Sequence, residues 1–172
     1  MIDSVALKLA EAIKRTEPSR TASIEVMKFS LIVLIHTAIT FSIIALVGIL
    51  THSFMSTMMG LLAFIILRFV SGGLHLKKAI NCSIVSVVLI TTAPHVPLTK
   101  DITIIITIVS LIIILILAPA NIENHARIPK KYFPLLKGIS AVIVCANFFI
   151  LSSTVALVFL IQAITLTPYM RR

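Results

Sequence analysis

Residues 68–82 read RFVSGGLHLKKAINC and separate two long apolar stretches of the chain. Within this segment a histidine, His75, and a cysteine, Cys82, lie seven positions apart, accompanied by three cations and two glycines. A thiol needs a nearby base and a positive electrostatic field to become a thiolate, and this segment supplies both. Residues 68–82 are therefore the candidate functional segment, and the rest of the chain is expected to hold this segment at the membrane surface.

The composition is that of an integral membrane protein. Hydrophobic residues make up 59% of the 172 positions and charged residues only 12%, and the mean hydropathy is +1.13. An ordinary soluble domain carries about 25% charged residues. No polar segment is long enough for a second, soluble domain, so residues 1–172 are expected to form a single membrane domain.

Six apolar runs predict an all-α, polytopic bundle of about six transmembrane helices within residues 27–168. Crossing the hydrocarbon takes about 20 residues, with roughly 17 as the lower limit. Pro94 and Pro97 lie in the third run and predict a kink or a short helix there. The last two runs are short enough to need a thin bilayer or a tight hairpin at residues 152–154. The runs are residues 27–50, 53–71, 81–98, 102–119, 134–151 and 153–168.

Residues 1–20 predict an amphipathic helix that precedes the bundle. Ile2, Val5 and Leu9 share one face, while the lysines and Arg15 lie mostly on the other. The order of basic and apolar residues is wrong for a signal peptide. We expect the apolar face to enter the headgroup region while the lysines meet anionic lipid. A solvated helix that caps the bundle is the alternative.

The basic residues predict the orientation in the membrane. If the N-terminus is cytoplasmic, fourteen of the 15 Lys and Arg residues lie inside and only Lys100 lies outside. The positive-inside rule therefore places both termini and residues 68–82 at the cytoplasmic face of a cell membrane. The same rule accounts for the net charge of +9 without nucleic acid, since no basic patch is interleaved with aromatic residues. The two cysteines are expected to be free thiols.

The two glycines explain how His75 and Cys82 can meet. On one continuous helix their Cα atoms would lie about 10.5 Å apart along the axis, too far for a hydrogen bond between ring and sulfur. Gly72 and Gly73 can adopt backbone conformations closed to other residues. The second run is therefore expected to end at the glycines, so that the segment with His75 folds back over Cys82.

Three neighbours of Cys82 favour its thiolate. Asn81 is the predicted N-cap of the third helix, which would leave Cys82 in the first turn, at the positive end of the helix dipole. Lys77 and Lys78 add positive charge at the same place. The residues alone leave catalysis and a structural role for this cysteine equally open.

The arrangement of Arg68, Gly72-Gly73, His75 and Cys82 resembles the motif of the accessory gene regulator B (AgrB) family. Members of this family are membrane-embedded cysteine endopeptidases that process quorum-sensing propeptides, typically in Gram-positive bacteria. The similarity extends along most of the chain. It includes the amphipathic start, the six apolar runs, and an Ala-Pro pair at residues 118–119 that precedes a basic loop.

The resemblance implies a role for each candidate residue. Cys82 would be the nucleophile and His75 its base, while Arg68, Gly72, Gly73 and Asn81 would support the site. The acidic tail of an AgrD-like propeptide would be the partner of four basic residues, Lys77, Lys78, Lys130 and Lys131. No cofactor and no metal are expected. A homodimer is compatible with the small bundle, and no Asp or Glu lies between Glu25 and Asp101 to complete a triad close to the dyad.

Three other classes of membrane protein remain as alternatives. A small transporter or export subunit for a peptide would work without Cys82. A metal-binding or structural protein would use His75 and Cys82 as ligands, but two ligands seven residues apart make a poor site. A phosphatidyl-group transferase needs acidic metal ligands in its cytoplasmic loops, and Glu123 alone is too few.

Overall fold

The computed structural model describes residues 2–18, 20–73, 79–120 and 129–167, with the side chains of residues 79–82 outside the description. The all-α membrane class is confirmed, because the described residues form helices joined by short connections. The helices are α1 (Ile2–Thr16), α2 (Ile24–Leu50), α3 (Phe54–Ser71), α4 (Ala79–Thr92), α5 (Lys100–Leu117), α6 (Phe133–Cys145), α7 (Asn147–Ile150) and α8 (Ser153–Ile164), with short 3-10 helices at Ala93–His95 and Lys130–Tyr132.

Four helical segments are long and apolar enough to cross a membrane. They are Ile24–Leu50, Phe54–Ser71, Lys100–Leu117 and Lys130–Ile150. Two further apolar helices, Ser83–His95 and Ser153–Ile164, are shorter. The predicted count of about six therefore holds for apolar helices, but only four of them have full spanning length in the described residues.

Proline determines the shape of the third run, as predicted. Helix α4 ends at Thr92, and Pro94 lies at the start of the 3-10 helix that follows. Val96 is then extended, with φ −104° and ψ 92°. A proline lacks the N–H that would continue the helix and clashes with the preceding turn, so the run divides into a short helix and an extended exit.

The fifth run is longer than predicted. The 3-10 helix Lys130–Tyr132 extends α6 at its start and α7 extends it at its end, giving 21 residues. The prediction of a short fifth span was thus wrong, because Pro134 lies in the first turn of α6, where a missing N–H costs no helical hydrogen bond. Helix α8 has only 12 residues, or about 18 Å of axis, and is short as predicted.

The described parts of residues 1–43 and 76–87 form one compact unit. In it, Ala6 and Ala10 are buried along one side of α1, while larger apolar side chains such as Val5 and Leu9 are exposed. The Lys14 ammonium donates to the carbonyl oxygens of Pro18 at 2.9 Å and Thr21 at 3.0 Å. These bonds satisfy carbonyls in the connection that leads to α2, and a cation at the end of α1 also suits the helix dipole.

The described parts of residues 44–75 and 88–172 form the second unit, and α8 is the most buried of its helices. Helix α8 packs against α3 and α5, and α6 packs against the same two helices. A helix that is apolar on all sides belongs in such a position. The helices around it expose large apolar side chains instead, among them Phe69 and Val142, as lipid-facing helices do. The core comprises Leu67, Ile114, Ala118, Ala120, Val144, Val155, Phe159, Ala163 and Leu166.

A buried amide organises the turn between α7 and α8. Asn147 is 0% exposed, and its Nδ2 donates to Thr107 Oγ1 at 3.0 Å and to the Ser152 carbonyl at 3.3 Å. Its Oδ1 accepts from the Ser152 N–H at 3.2 Å. Leu151, between them, has φ 52° and ψ 37°, a left-handed conformation unfavourable for a residue with a Cβ. The Asn147 side chain therefore holds a strained turn in place.

Replacing Asn147 by leucine is expected to lower the free energy of unfolding by about 2 kcal/mol, because the partly buried Ser152 N–H and the buried Thr107 Oγ1 lose their hydrogen bonds to the amide. The thermal unfolding midpoint of the purified protein in detergent measures the effect. Leu151→Gly is the matched control, since glycine relieves the left-handed conformation and should keep or raise the midpoint. Equal midpoints for Asn147→Leu and wild type would contradict this account of the turn.

Candidate functional site

Helices α3, α5 and α8 end at the same end of the second unit. The segment after α3 and the segment after α5 lie side by side there, joined by a parallel bridge between Gly72 and Ala120. The Gly73 N–H donates to the Ala120 carbonyl at 2.9 Å, and the Ala120 N–H donates to the Ser71 carbonyl at 2.9 Å. These two hydrogen bonds fix the start of the Gly-Gly segment, which continues along the chain towards His75.

Gln162, on the last turn of α8, is the centre of the polar contacts at this point. It is 0% exposed. Its Nε2 donates to Ser71 Oγ at 3.0 Å and to the Gly72 carbonyl at 2.6 Å. Its Oε1 accepts from Arg68 Nη1 at 3.2 Å and from Thr165 Oγ1 at 3.3 Å. Both donor hydrogens of the amide are used, and Arg68 uses one acceptor lone pair; the single Thr165 hydroxyl hydrogen is shared between Oε1 and the Gln162 main-chain carbonyl, which is closer at 2.7 Å.

This set of partners fixes the orientation of the amide. A flipped amide would place its NH₂ against the Arg68 guanidinium, so that two donors would face each other. It would also place its oxygen against the Gly72 carbonyl, so that two acceptors would face each other. Buried polar groups that lose their partners are costly, so only one orientation of Gln162 fits.

Arg68 lies half-buried on the last turn of α3. Its guanidinium contacts Gln162 and stacks over the Phe64 ring, with 5.6 Å between Cζ and the ring centroid. The C-terminal ends of helices carry partial negative charge, and three of them meet here. A cation at this position is therefore favoured by the helix ends, and its guanidinium can bind a carboxylate with two parallel hydrogen bonds.

Gly73 is packed too closely for any side chain. Its φ is +128°, a conformation that residues with a Cβ rarely adopt. A Cβ built on Gly73 would lie 2.8 Å from Thr165 Oγ1, 3.2 Å from Gln162 Nε2 and 3.6 Å from Arg68 Nη1. The backbone at Gly73 thus touches the same polar cluster that holds Arg68.

The structure brings together Arg68, Gly72 and Gly73, three of the residues that the sequence singled out. Three others, His75, Lys77 and Lys78, lie outside the described residues.

The predicted N-cap at Asn81 is wrong, because α4 begins at Ala79 and Asn81 is already its third residue. Ala79 and Ile80 are helical before it, so Asn81 lies inside the helix. Cys82 is also part of α4, and its place in the first turn stays a prediction, because residues 74–78 lie outside the described residues. The side-chain geometry of the proposed dyad remains a prediction, since both residues' side chains fall outside the description.

The basic residues after α5 are partly described. Lys130 and Lys131 are exposed, and the Lys131 ammonium lies 5.0 Å from the centroid of the Tyr132 ring. A cavity of about 360 Å³ lies next to this segment, between the end of α5 and the start of α6. Its lining is apolar apart from one cation, and comprises Ile116, Leu117, Ala118, Pro119, Phe133, Pro134 and Lys137. Within the described ranges, no three His, Cys, Asp or Glu side chains form a cluster able to hold a metal ion.

Sequence reasoning missed Gln162, Ser71 and Thr165. A signal for Gln162 was present, since it is the one amide in the apolar run 153–168, and polar residues inside membrane spans are usually paired or functional. Ser71 and Thr165 gave no such signal, because hydroxyl side chains commonly bond to their own helix. The partner of Gln162 on α3 is 94 residues away along the chain, beyond any local pattern.

Comparisons with known proteins identify the family. The sequence profile of the accessory gene regulator B family matches residues 6–167. An AgrB-like protein of Halalkalibacterium halodurans is 29% identical over 173 aligned positions, which cover 98% of this chain and 88% of that protein. No solved structure matches the chain at a significant level. Since the profile covers nearly the whole chain, motif and helices included, the protein belongs to the accessory gene regulator B (AgrB) family.

Proposed function

We propose that this protein is a membrane cysteine endopeptidase that cuts the C-terminal part from an AgrD-like propeptide and closes the remaining peptide into a ring. The observation that carries the proposal is the family match over residues 6–167, a range that contains His75 and Cys82. Membership in this family supports a role in processing the peptide of the accessory gene regulator system.

The first chemical step forms a thioester. The Cys82 sulfur attacks a backbone carbonyl carbon of the propeptide, forming a C–S bond as the C–N bond breaks. His75 first takes the thiol proton and then gives it to the leaving amine, so the C-terminal fragment departs as a neutral amine. We expect Cys82 to lie in the first turn of its helix, where the positive end of the helix dipole stabilises a thiolate.

The second step closes the ring. A cysteine or serine within the bound peptide attacks the thioester carbonyl, which transfers the acyl group and returns the thiol to Cys82. Exchange of one thioester for another changes the free energy little, so ring closure must be faster than attack by water. A site at the membrane interface, partly shielded from bulk water, favours that outcome.

The polar end of the second unit suits the recognition of an acidic substrate. Arg68 is held beside the Gly-Gly segment with its guanidinium at the ends of three helices. Lys130 and Lys131 follow the second segment of the bridge along the chain and are exposed. We infer that these cations bind carboxylates of the propeptide's tail, and that this end of the helices faces the cytoplasm, where the positive-inside rule places it.

Reconstitution tests this function. The purified protein is placed in liposomes with the candidate propeptide encoded beside it, and the products are analysed by mass spectrometry. The expected products are the free C-terminal fragment and a species lighter by one water than the linear N-terminal product. If no encoded peptide is cut while peptide export still depends on the protein, a transport function replaces this proposal.

A further inference from the structure

We propose that Gln162 is a positioning residue for the motif segment: its side-chain amide sets the placement of Arg68 and of the Gly72–Gly73 backbone. The inference rests on the proposed function, because the reaction assigned to Cys82 and His75 is what that placement would serve. It adds a residue from α8, the helix most distant in sequence from the motif.

The first support is that the contacts of Gln162 connect groups of different kinds. Its Nε2 holds a main-chain carbonyl, that of Gly72, at 2.6 Å, and its Oε1 holds a charged side chain, Arg68, at 3.2 Å. One planar amide therefore fixes the cation and the glycine segment relative to each other. A change at Gln162 displaces both together.

The second support is burial. Gln162 is 0% exposed, and so is Ser71, to which it also donates. Every described buried side-chain nitrogen and oxygen has a hydrogen-bond partner. A buried network in which each member is satisfied favours one arrangement, whereas removal of one member takes a hydrogen bond from several groups at once. The motif segment is thus held by a network with one favoured geometry.

The third support is that packing alone would not need an amide at this position. A methionine has nearly the same length as a glutamine and would fill about the same space. It would leave Arg68 Nη1, Ser71 Oγ and the Gly72 carbonyl without the Gln162 bonds. The chemical difference between glutamine and methionine here is therefore the positioning of the segment.

Hydrogen exchange tests the positioning directly, without any substrate. In the full-length protein in detergent, Gln162→Met is expected to speed exchange of the Gly73 and Ala120 amide hydrogens at least tenfold, because both belong to the bridge that Gln162 supports. Asn147→Leu is the matched control: it removes a buried amide that bonds Ser152, about 15 Å from Gln162 at the other end of α8, and should leave these two amides unchanged. Unchanged exchange of Gly73 and Ala120 in Gln162→Met would overturn the inference.

Cleavage kinetics test what the positioning is for. With the propeptide in liposomes, Gln162→Met is expected to lower kcat at least tenfold with KM within about twofold, while Asn147→Leu keeps kcat despite its lower thermal midpoint. If the loss of kcat in both variants follows the loss of stability, measured as the drop in thermal midpoint, Gln162 is structural only and the inference fails. If wild type cuts no propeptide, the proposed function fails, while the exchange result on the bridge stands independently.

Discussion

Cys82→Ala is expected to abolish both products of the reaction, the free C-terminal fragment and the ring. Alanine has no nucleophile, and removal of the attacking group from a hydrolase of this kind costs on the order of 10⁴-fold or more in rate. The measurement is mass spectrometry of the propeptide after incubation with reconstituted protein. In wild type, a covalent adduct with the mass of the N-terminal peptide should also accumulate on the enzyme when the ring-closing residue of the peptide is replaced by alanine.

The second cysteine provides the control for this experiment. Cys145 is the last residue of α6, is a free thiol and is only partly buried. Cys145→Ala should leave cleavage within about twofold, since alanine is well tolerated in a helix. Cleavage that survives in Cys82→Ala but not in Cys145→Ala would contradict the assignment of the nucleophile. His75→Ala is expected to give a loss intermediate between the two, because the base accelerates the reaction without forming the bond.

Gly73→Ala is expected to lower cleavage about 100-fold, the cost of a displacement of about 1 Å near reacting groups. The added methyl would lie 2.8 Å from Thr165 Oγ1, and the φ of +128° is strained for alanine. The strain costs about 1–3 kcal/mol, so the segment moves away from Gln162 and the Gly73 N–H leaves the Ala120 carbonyl. Cleavage in liposomes measures the loss, and the thermal midpoint shows whether the fold persists.

Gly138→Ala is the matched substitution. A Cβ at Gly138, on α6, would meet no atom within 4 Å. Alanine is favoured over glycine inside a helix by about 1 kcal/mol, so this variant should be as stable as wild type or more stable, with unchanged cleavage. Equal losses of cleavage in both variants would show that the crowding at Gly73 has no special role.

Local chemistry explains which parts of this protein could be predicted from its sequence. Apolar runs identify membrane helices because lipid requires every backbone group to be satisfied within the helix. A proline inside a run, such as Pro94, ends the helix just before it. The Gly-Gly pair predicted a break after α3, and Gly72 and Gly73 indeed have positive φ of 72° and 128°. In each case the cause lies within a few residues of its effect.

The candidate site was predicted less completely because its contacts join distant parts of the chain. Gln162 and Arg68 are bonded across 94 positions, and Asn147 and Thr107 across 40. In the sequence, Gln162 and Asn147 are recognisable only as isolated amides in apolar runs, and this pattern does not indicate which residue each of them bonds. The N-cap prediction at Asn81 failed for a related reason: a capping residue type is common, and the two residues before it are already helical.

The bridge between Gly72 and Ala120 has a consequence for sequence variation: the bridge itself needs no particular side chains, whereas the two chain segments that start from it can differ in composition. Its hydrogen bonds come from main-chain atoms, so they are independent of the side chains in the two chain segments that continue beyond Gly73 and Ala120. Those segments contain His75 with Lys77 and Lys78 on one side and the basic stretch up to Lys131 on the other. Apart from His75, the residues of both segments can therefore change in evolution to suit a new peptide, while the main-chain bridge from which the segments start stays the same.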